Sequence, residues 1–248
     1  MIREHGIDPR VSVIGKRLGK IKNIIAVVSG KGGVGKSLIS TISALILSKN
    51  GYKTGLLDLD FHGPSCHIIL GEEDLYPIEE KGIIPPETNR IKFMSIVFYA
   101  KDEPIPLRGH EISNAIIELL AITRWGDLDF LVIDMPPGMG DQTLDVIRFF
   151  RDRKFLVVTT PSVLAIQTAQ RLVKFLKQLN VDILGIIENM RIEENNNVIT
   201  LSKAMNIKYM GYLPFKPEIE SYIGHPDKIL ESEIGVKLMK ILERIFPP

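Results

Sequence analysis

A single cysteine, Cys66, stands among the 248 residues, so the chain can form no intramolecular disulfide and no metal site from several of its own thiolates. Charge of one sign is equally scarce. Lysines and arginines number 31 against 30 aspartates and glutamates, a formal charge of +1, which leaves no electrostatic footprint for nucleic acid. No uninterrupted apolar run approaches the ~20 residues that cross a bilayer, so no stable membrane insertion is expected. The opening MIREHGIDPR lacks the apolar core of a signal peptide, and a cytoplasmic location is expected. Repeats and low-complexity tracts are missing as well.

What is present is an ordinary globular composition, 45% hydrophobic and 25% charged. Short runs rich in Ile and Val alternate with longer segments at helical spacing, the pattern of βαβ units and a parallel sheet. The spacing predicts strands over 24–29 (IIAVVS), 54–60 (TGLLDLD), 92–98 (KFMSIVF), 129–134 (DFLVID), 155–160 (FLVVTT), 183–189 (ILGIIEN) and 208–213 (KYMGYL). Several are apolar on both faces, so helices should cover both sides of the sheet. Residues 72–90, with Pro77, Pro85 and Pro86 among acidic patches, read as a solvated excursion, because the strands on either side need one another. The expected architecture is α/β: a doubly wound, mostly parallel sheet in one domain over residues 1–248.

The stretch VVSGKGGVGKSLIST, residues 27–41, fits GxxxxGK[ST] through Gly30, Gly35, Lys36 and Ser37, between a predicted strand and a helix whose apolar positions begin at Leu38 and Ile39. Glycines let successive backbone N–H groups turn inward on phosphate oxygens, and the helix N-terminus adds partial positive charge. The expected ATP phosphate contacts are therefore Gly30, Lys31, Gly32, Gly33, Val34, Gly35, Lys36 and Ser37. Lys36 is expected on the β and γ oxygens and the Ser37 hydroxyl on Mg²⁺. The run FLVIDMPPG ends a strand with Asp134, an arrangement that holds Mg²⁺ through water in P-loop NTPases. Pro136 and Pro137 then fix a turn, and Gly138 supplies a flexible point suited to sensing the γ phosphate. The guanine-reading NKxD tetrapeptide is absent, which favours adenine.

Lys31 is a second lysine in the loop. KGGVGKS resembles the deviant Walker A motif of the MinD, ParA, nitrogenase iron protein and Mrp group of ATPases. That resemblance implies a homodimer in which Lys31 reaches the nucleotide of the facing subunit. It also implies that Asp60, second aspartate of LLDLD, approaches the attacking water and the Mg²⁺ shell. Asp58, two residues earlier on a strand, is expected on the same face as Asp60, either catalytic itself or a supporting contact.

Taken together, SGKGGVGKS, DLDFHGPS, LRGHEISNAI, WGDLDFLVIDMPPGMGD, VVTTPS, GIIENM and GYLPF resemble the Mrp family of ATP-binding iron–sulfur cluster carriers, from about residue 20 to the end. The resemblance implies that Asn189 bonds the adenine edge and that Pro214 lies near the base; read from the residues alone, they serve equally as a strand-terminal cap and a turn former. Arg108 and Gly109 match the family's WRGP motif, with Leu107 and His110 at its flanks, and receive no role. Cluster-carrying members have a CxxC pair after ENM. Here residues 191–200 read RIEENNNVIT, and thiolates are what hold such clusters. The family's usual ligands are thus excluded, which places an iron–sulfur cluster of this chain's own in question and points to a carrier-like or regulatory member acting on iron–sulfur or metalloprotein clients.

Three other readings are open at this level. HGPSCH offers His62, Cys66 and His67 as metal ligands, or Cys66 as a small buried apolar residue. A positioning ATPase of MinD or ParA type would use the C-terminal ILESEIGVKLMKILERIFPP as a membrane helix, although Glu231, Glu233 and Glu243 make its polar face unlike a basic membrane-binding one, and core packing suits the same spacing. The basic arm of Lys16, Arg17, Lys20 and Lys22 reads as solvated, too short a surface for DNA.

Overall fold

The computed structural model describes residues 8–72, 75–100, 110–140, 143, 144, 147 and 153–247. Its centre is an eight-stranded sheet. In chain order the strands are β1 (Ile21–Ser29), β2 (Thr54–Asp58), β5 (Glu87–Thr88), β6 (Ile91–Ser95), β7 (Leu128–Asp134), β8 (Arg153–Thr159), β9 (Asp182–Arg191) and β10 (Tyr209–Pro214), while β3 (Ile78–Glu79) and β4 (Ile83–Ile84) form a separate small hairpin. The spatial order is β10-β9-β8-β1-β7-β2-β6-β5. Every pairing is parallel except the edge pair β5 with β6. All seven predicted strands are present within a few residues, and the sheet is mostly parallel, as expected.

Alternation along β1 feeds two cores. Ile24, Ala26 and Val28 face one side, against α1 (Pro9–Leu18), α5 (His110–Ile122) and α6 (Val163–Gln178). Ile25 and Val27 face the other, against α2 (Lys36–Lys49) and α9 (Glu233–Glu243). Each such branched side chain, taken fully out of water, contributes about 1.5–3 kcal/mol, so a strand buried on both faces anchors the whole sheet. The remaining helices are α3 (Cys66–Leu70), α4 (Val97–Ala100), α7 (Asn197–Ala204) and α8 (Pro226–Glu231).

Several local departures have physical causes. The strand expected through 98 stops at Ser95, whose hydroxyl accepts from Val97 N–H at 3.3 Å and starts the single turn of α4. The strand expected through Asp60 stops at Asp58. Within the excursion, Asn89 and Arg90 adopt φ of 50° and 61°, the left-handed pair of a tight hairpin turn that returns β5 onto β6.

The basic arm is solvated as expected, with Lys16, Lys20 and Lys22 exposed, and it begins on a helix. Asp8 caps α1 by accepting from Arg10 N–H, Pro9 takes the first turn, and Ile14 and Leu18 are buried. The arm's last member, Lys22 on β1, pairs with Asp129 at 2.7 Å.

At the other end, α9 buries Ile234, Leu238, Ile241 and Leu242 against β10 and α2, so its apolar stripe is committed to the core. Among the described residues no helix is long and apolar enough to cross a membrane. Arg108 and Gly109 lie outside the described residues.

Candidate active site

Parallel register puts the ends of the three central strands side by side. Val27 of β1 and Asp58 of β2 both stand opposite Asp134 of β7, and the loop 30–35 leaves β1 immediately beyond. The crevice thus lies at the carboxyl ends of the strands, where open α/β sheets hold ligands. A cleft of about 330 Å³ opens there, lined among others by Gly32, Gly33, Gly35, Lys36, Ser37 and Asp60.

The loop is shaped by its glycines. Gly33 and Gly35 have φ of 75° and 81°, and a Cβ on Gly30 would sit 2.4–2.7 Å from the backbone of Thr168 and Ala169 in α6. Two hydrogen bonds tie it down. Asn189, only 3% exposed, donates from Nδ2 to Val34 O at 2.8 Å, directly beneath Gly35. Gly138, with φ of 94°, donates its N–H to Ser29 O at 2.9 Å, fastening the turn after β7 to the loop's root.

Asp134 is the hub. Fully buried, it pairs through Oδ1 with Lys36 Nζ at 2.7 Å, while its Oδ1 and Oδ2 accept from Ser40 Oγ at 2.6 Å and Ser37 Oγ at 2.7 Å. Ser40 escaped the sequence reading; its signal is position, one helical turn after Ser37 on the same face of α2. Ser37, Asp134 and the half-buried Asp60 are hard oxygen donors, the set that suits Mg²⁺, with Ser37 and Asp60 on the wall of the cleft.

Asp58 departs from expectation. It does not share a face with Asp60, because β2 has ended. Instead its Oδ1 accepts from Asp60 N–H at 3.0 Å, and its Oδ2 accepts from Ser65 and Cys66 N–H at 3.2 Å each. It is wholly buried and shapes the loop that presents Asp60. Burial first, and then the charge of Asp134, push its carboxyl up to about 7, against the pull of the backbone donors and Lys36.

Cys66 is fully buried, and burial together with Asp58 and Asp134 drives its thiol well above the ordinary range. Its sulfur lies within 4.8 Å of carboxylate oxygens of Asp58 and Asp134. His62 is exposed and is not part of that group, so HGPSCH does not assemble the His–Cys–His set.

Lys31 is exposed; its side chain has no hydrogen-bond or ion-pair partner among the described residues, while its backbone oxygen accepts from Ser29 Oγ. Pro214, at the end of β10, is half-buried and lines a separate hollow with Arg191, Tyr212 and Phe215. Met190, next to Asn189, holds φ of 57° in a strand, a strained residue at the edge of the loop.

A Nubp2 homolog of Drosophila yakuba, named a cytosolic Fe-S cluster assembly factor, is 34% identical over 92% of this chain and 99% of its own length. The iron-sulfur cluster carrier protein of Aquifex aeolicus is 35% identical over 93% of this chain and 70% of its own. Among solved structures, a nucleotide-binding protein of Archaeoglobus fulgidus in complex with ADP superposes with a TM-score of 0.74 at 31% identity, covering 91% of this chain and 95% of that one. MinD of Pyrococcus horikoshii, complexed with Mg-ADP, shares the fold with a TM-score of 0.69 at 20% identity, over 91% of this chain and 96% of its own. A family model described as ParA, NUBPL iron-transfer P-loop NTPase, matches residues 20–247, and the chain belongs to that family.

Proposed function

We propose that the chain is a slowly turning-over MgATPase that works as a homodimer in iron–sulfur or metal-cofactor assembly, as a carrier-like or regulatory subunit whose cluster is held by its partners. The observation that carries this reading is the convergence of Lys36, Ser37 and Ser40 on one buried carboxylate, Asp134, at the mouth of a glycine loop.

In this reading the backbone donors of residues 30–37 cradle the triphosphate. Lys36 exchanges its contact with Asp134 for the β and γ oxygens. Ser37, with Asp134 behind it and Asp60 beside it, would hold Mg²⁺, which when bound offsets phosphate charge. Water, oriented by Asp60 on the turn that Asp58 holds, attacks the γ phosphorus in line; the bond from γ phosphorus to the β–γ bridging oxygen breaks, ADP and inorganic phosphate leave, and the water's proton passes to phosphate or solvent. Asn189 keeps its Oδ1 for the adenine amino group while Nδ2 holds the loop, and the base extends from the cleft toward the hollow that Pro214 lines. Gly138 links the γ-phosphate end of the cleft to Ser29.

Pairing across the carboxyl edge of the sheet fits the surface. Lys31 is joined there by exposed apolar side chains on the loops and helix starts that follow the strands: Met139 after β7, Val163 and Leu164 after β8, and Ile192 after β9, the last 78% exposed. A cation delivered only on pairing stabilises transition-state charge that a lone subunit leaves uncompensated. The cluster, as cargo, finds no thiolate here, since Cys66 is sealed beneath the site. The absence of nucleic acid as partner accords with the near-neutral net charge; the work is cytoplasmic in this reading.

The test is Lys31→Ala. Turnover should fall about a thousandfold, as for loss of a trans-acting cation, with ATP affinity little changed. Light scattering should give an ATP-dependent dimer for the wild type. Undiminished hydrolysis by the variant, or a monomer under saturating MgATP, would overturn the dimeric mechanism. Anaerobic reconstitution with iron and sulfide should leave no cluster on the chain alone; retained stoichiometric iron and sulfide would refute the assignment of the cluster to partners.

A further inference from the structure

At the opposite edge of the sheet, roughly one strand length or ~30 Å from the phosphate loop, lies a second hollow, of about 450 Å³. Five cations line it: Lys16 and Arg17 from α1, Lys20 just before β1, Lys92 from β6, and Arg124 before β7. The floor includes Trp125, 1% exposed, whose indole N–H has no acceptor among the described residues. Among the described residues one carboxylate pairs with this charge, Glu80, whose Oε1 is 4.0 Å from Arg124 while its backbone oxygen accepts from Arg124 Nη1 at 2.6 Å. Among the described residues Lys92 Nζ is engaged only by a neutral acceptor, Trp125 O, at 2.7 Å. Arg17 Nη1 is buried with no acceptor among the described residues.

So dense a cluster is out of keeping with a chain whose whole charge is +1. Like charges at such spacing repel, and an unpaired guanidinium nitrogen inside protein is costly, so an anion placed among them would relieve both. The backbone is bent to make the room. Gly82, at φ of 125°, carries the β3–β4 turn over Arg17, where a Cβ would come within 3.0 Å of Nη2. Gly126, at φ of 69°, passes Lys92, where a Cβ would stand 3.3 Å from Nζ.

We propose that this hollow is a binding site for a small polyanion carrying at least two phosphate or carboxylate groups, with Arg17 and Arg124 as forked donors and the lysines as point charges. It is separate from the nucleotide site and does not depend on the function proposed above.

Trp125 is the chain's only tryptophan, so its fluorescence reports on the hollow directly. The full chain, saturated with ADP and without divalent cation so that the phosphate loop is filled, is titrated with inorganic pyrophosphate and separately with citrate, by fluorescence and calorimetry. Saturable binding below about 1 mM is expected, weakening with salt and falling about tenfold or more in Arg17→Gln and Arg124→Gln. Tighter pyrophosphate than citrate identifies the ligand class as phosphate, and the reverse as carboxylate. Lys20→Glu, at an exposed position, guards against misfolding of the arginine variants and should weaken binding similarly. No saturation of the wild type by either anion, or affinities unchanged in the folded variants, would overturn the proposal.

Discussion

Asn189→Ala offers the sharpest test of how the loop is built. The side chain is buried, and its Nδ2 donates to Val34 O at 2.8 Å beneath Gly35, where an added Cβ would come within 2.3 Å of that nitrogen. Removing the amide deletes one hydrogen bond and strands a buried carbonyl, a loss of about 1–3 kcal/mol. Urea denaturation should register that loss with an unchanged slope. The freed loop should also bind nucleotide about tenfold more weakly, whichever base it carries, because it must be reordered around phosphate. Competition of ATP and GTP against a fluorescent nucleotide separates the two duties assigned to this residue. Loss common to both measures the loop tie, and additional loss on ATP measures the contact to adenine. Asn189→Asp should be worse still in stability, since it sets a carboxylate oxygen against the Val34 carbonyl. An alanine variant with wild-type unfolding free energy and wild-type GTP affinity would refute the reasoning.

Asp134→Ala leaves the Lys36 ammonium, 6% exposed, without its counter-ion, and should cost about 3–5 kcal/mol in urea denaturation besides abolishing turnover. Gly30→Ala forces its methyl into the backbone of α6 and should destabilise by about 1–3 kcal/mol while nucleotide binding is lost; Gly32→Ala, whose nearest neighbour would be Pro137 Cγ at 4.0 Å, should fold and melt like the wild type. Thermal melts of the pair check both, and equal behaviour would refute the packing assigned to Gly30. Ser40→Ala removes a charge-assisted hydrogen bond to Asp134 and should lower stability by about 1.5–3 kcal/mol, a measure of how much of the hub lies outside the phosphate loop.

The sheet was legible because its strands are short β-branched runs buried on both faces, a pattern that survives without knowledge of partners. The ends were not. Whether a strand continues past Asp58 or Ser95 depends on side chains that bond their own backbone two residues on, a competition that periodicity does not record. Signals for α1 and the 89–90 turn were present in Asp8-Pro9 and in Asn89, but each is a cap or turn cue two residues long amid stronger patterns. In the site, the loop, Lys36, Ser37 and Asp134 could be placed from spacing alone. Ser40 could not, since a serine inside a helix carries no motif. Nor could the division of labour between Asp58 and Asp60, which is decided by the chain turning at the end of β2. The hollow floored by Trp125 was only partly legible: the basic arm supplies Lys16, Arg17 and Lys20, but Lys92 and Arg124 come from two distant parts of the sequence, and only the parallel sheet gathers them.

The depth of Cys66 has a practical meaning. Alkylating reagents, peroxide and glutathione all require an accessible thiolate, and the folded chain presents none. Its thiol should come through an oxidative episode unmodified, leaving exposed methionines such as Met139 as the sulfur that oxidants reach first.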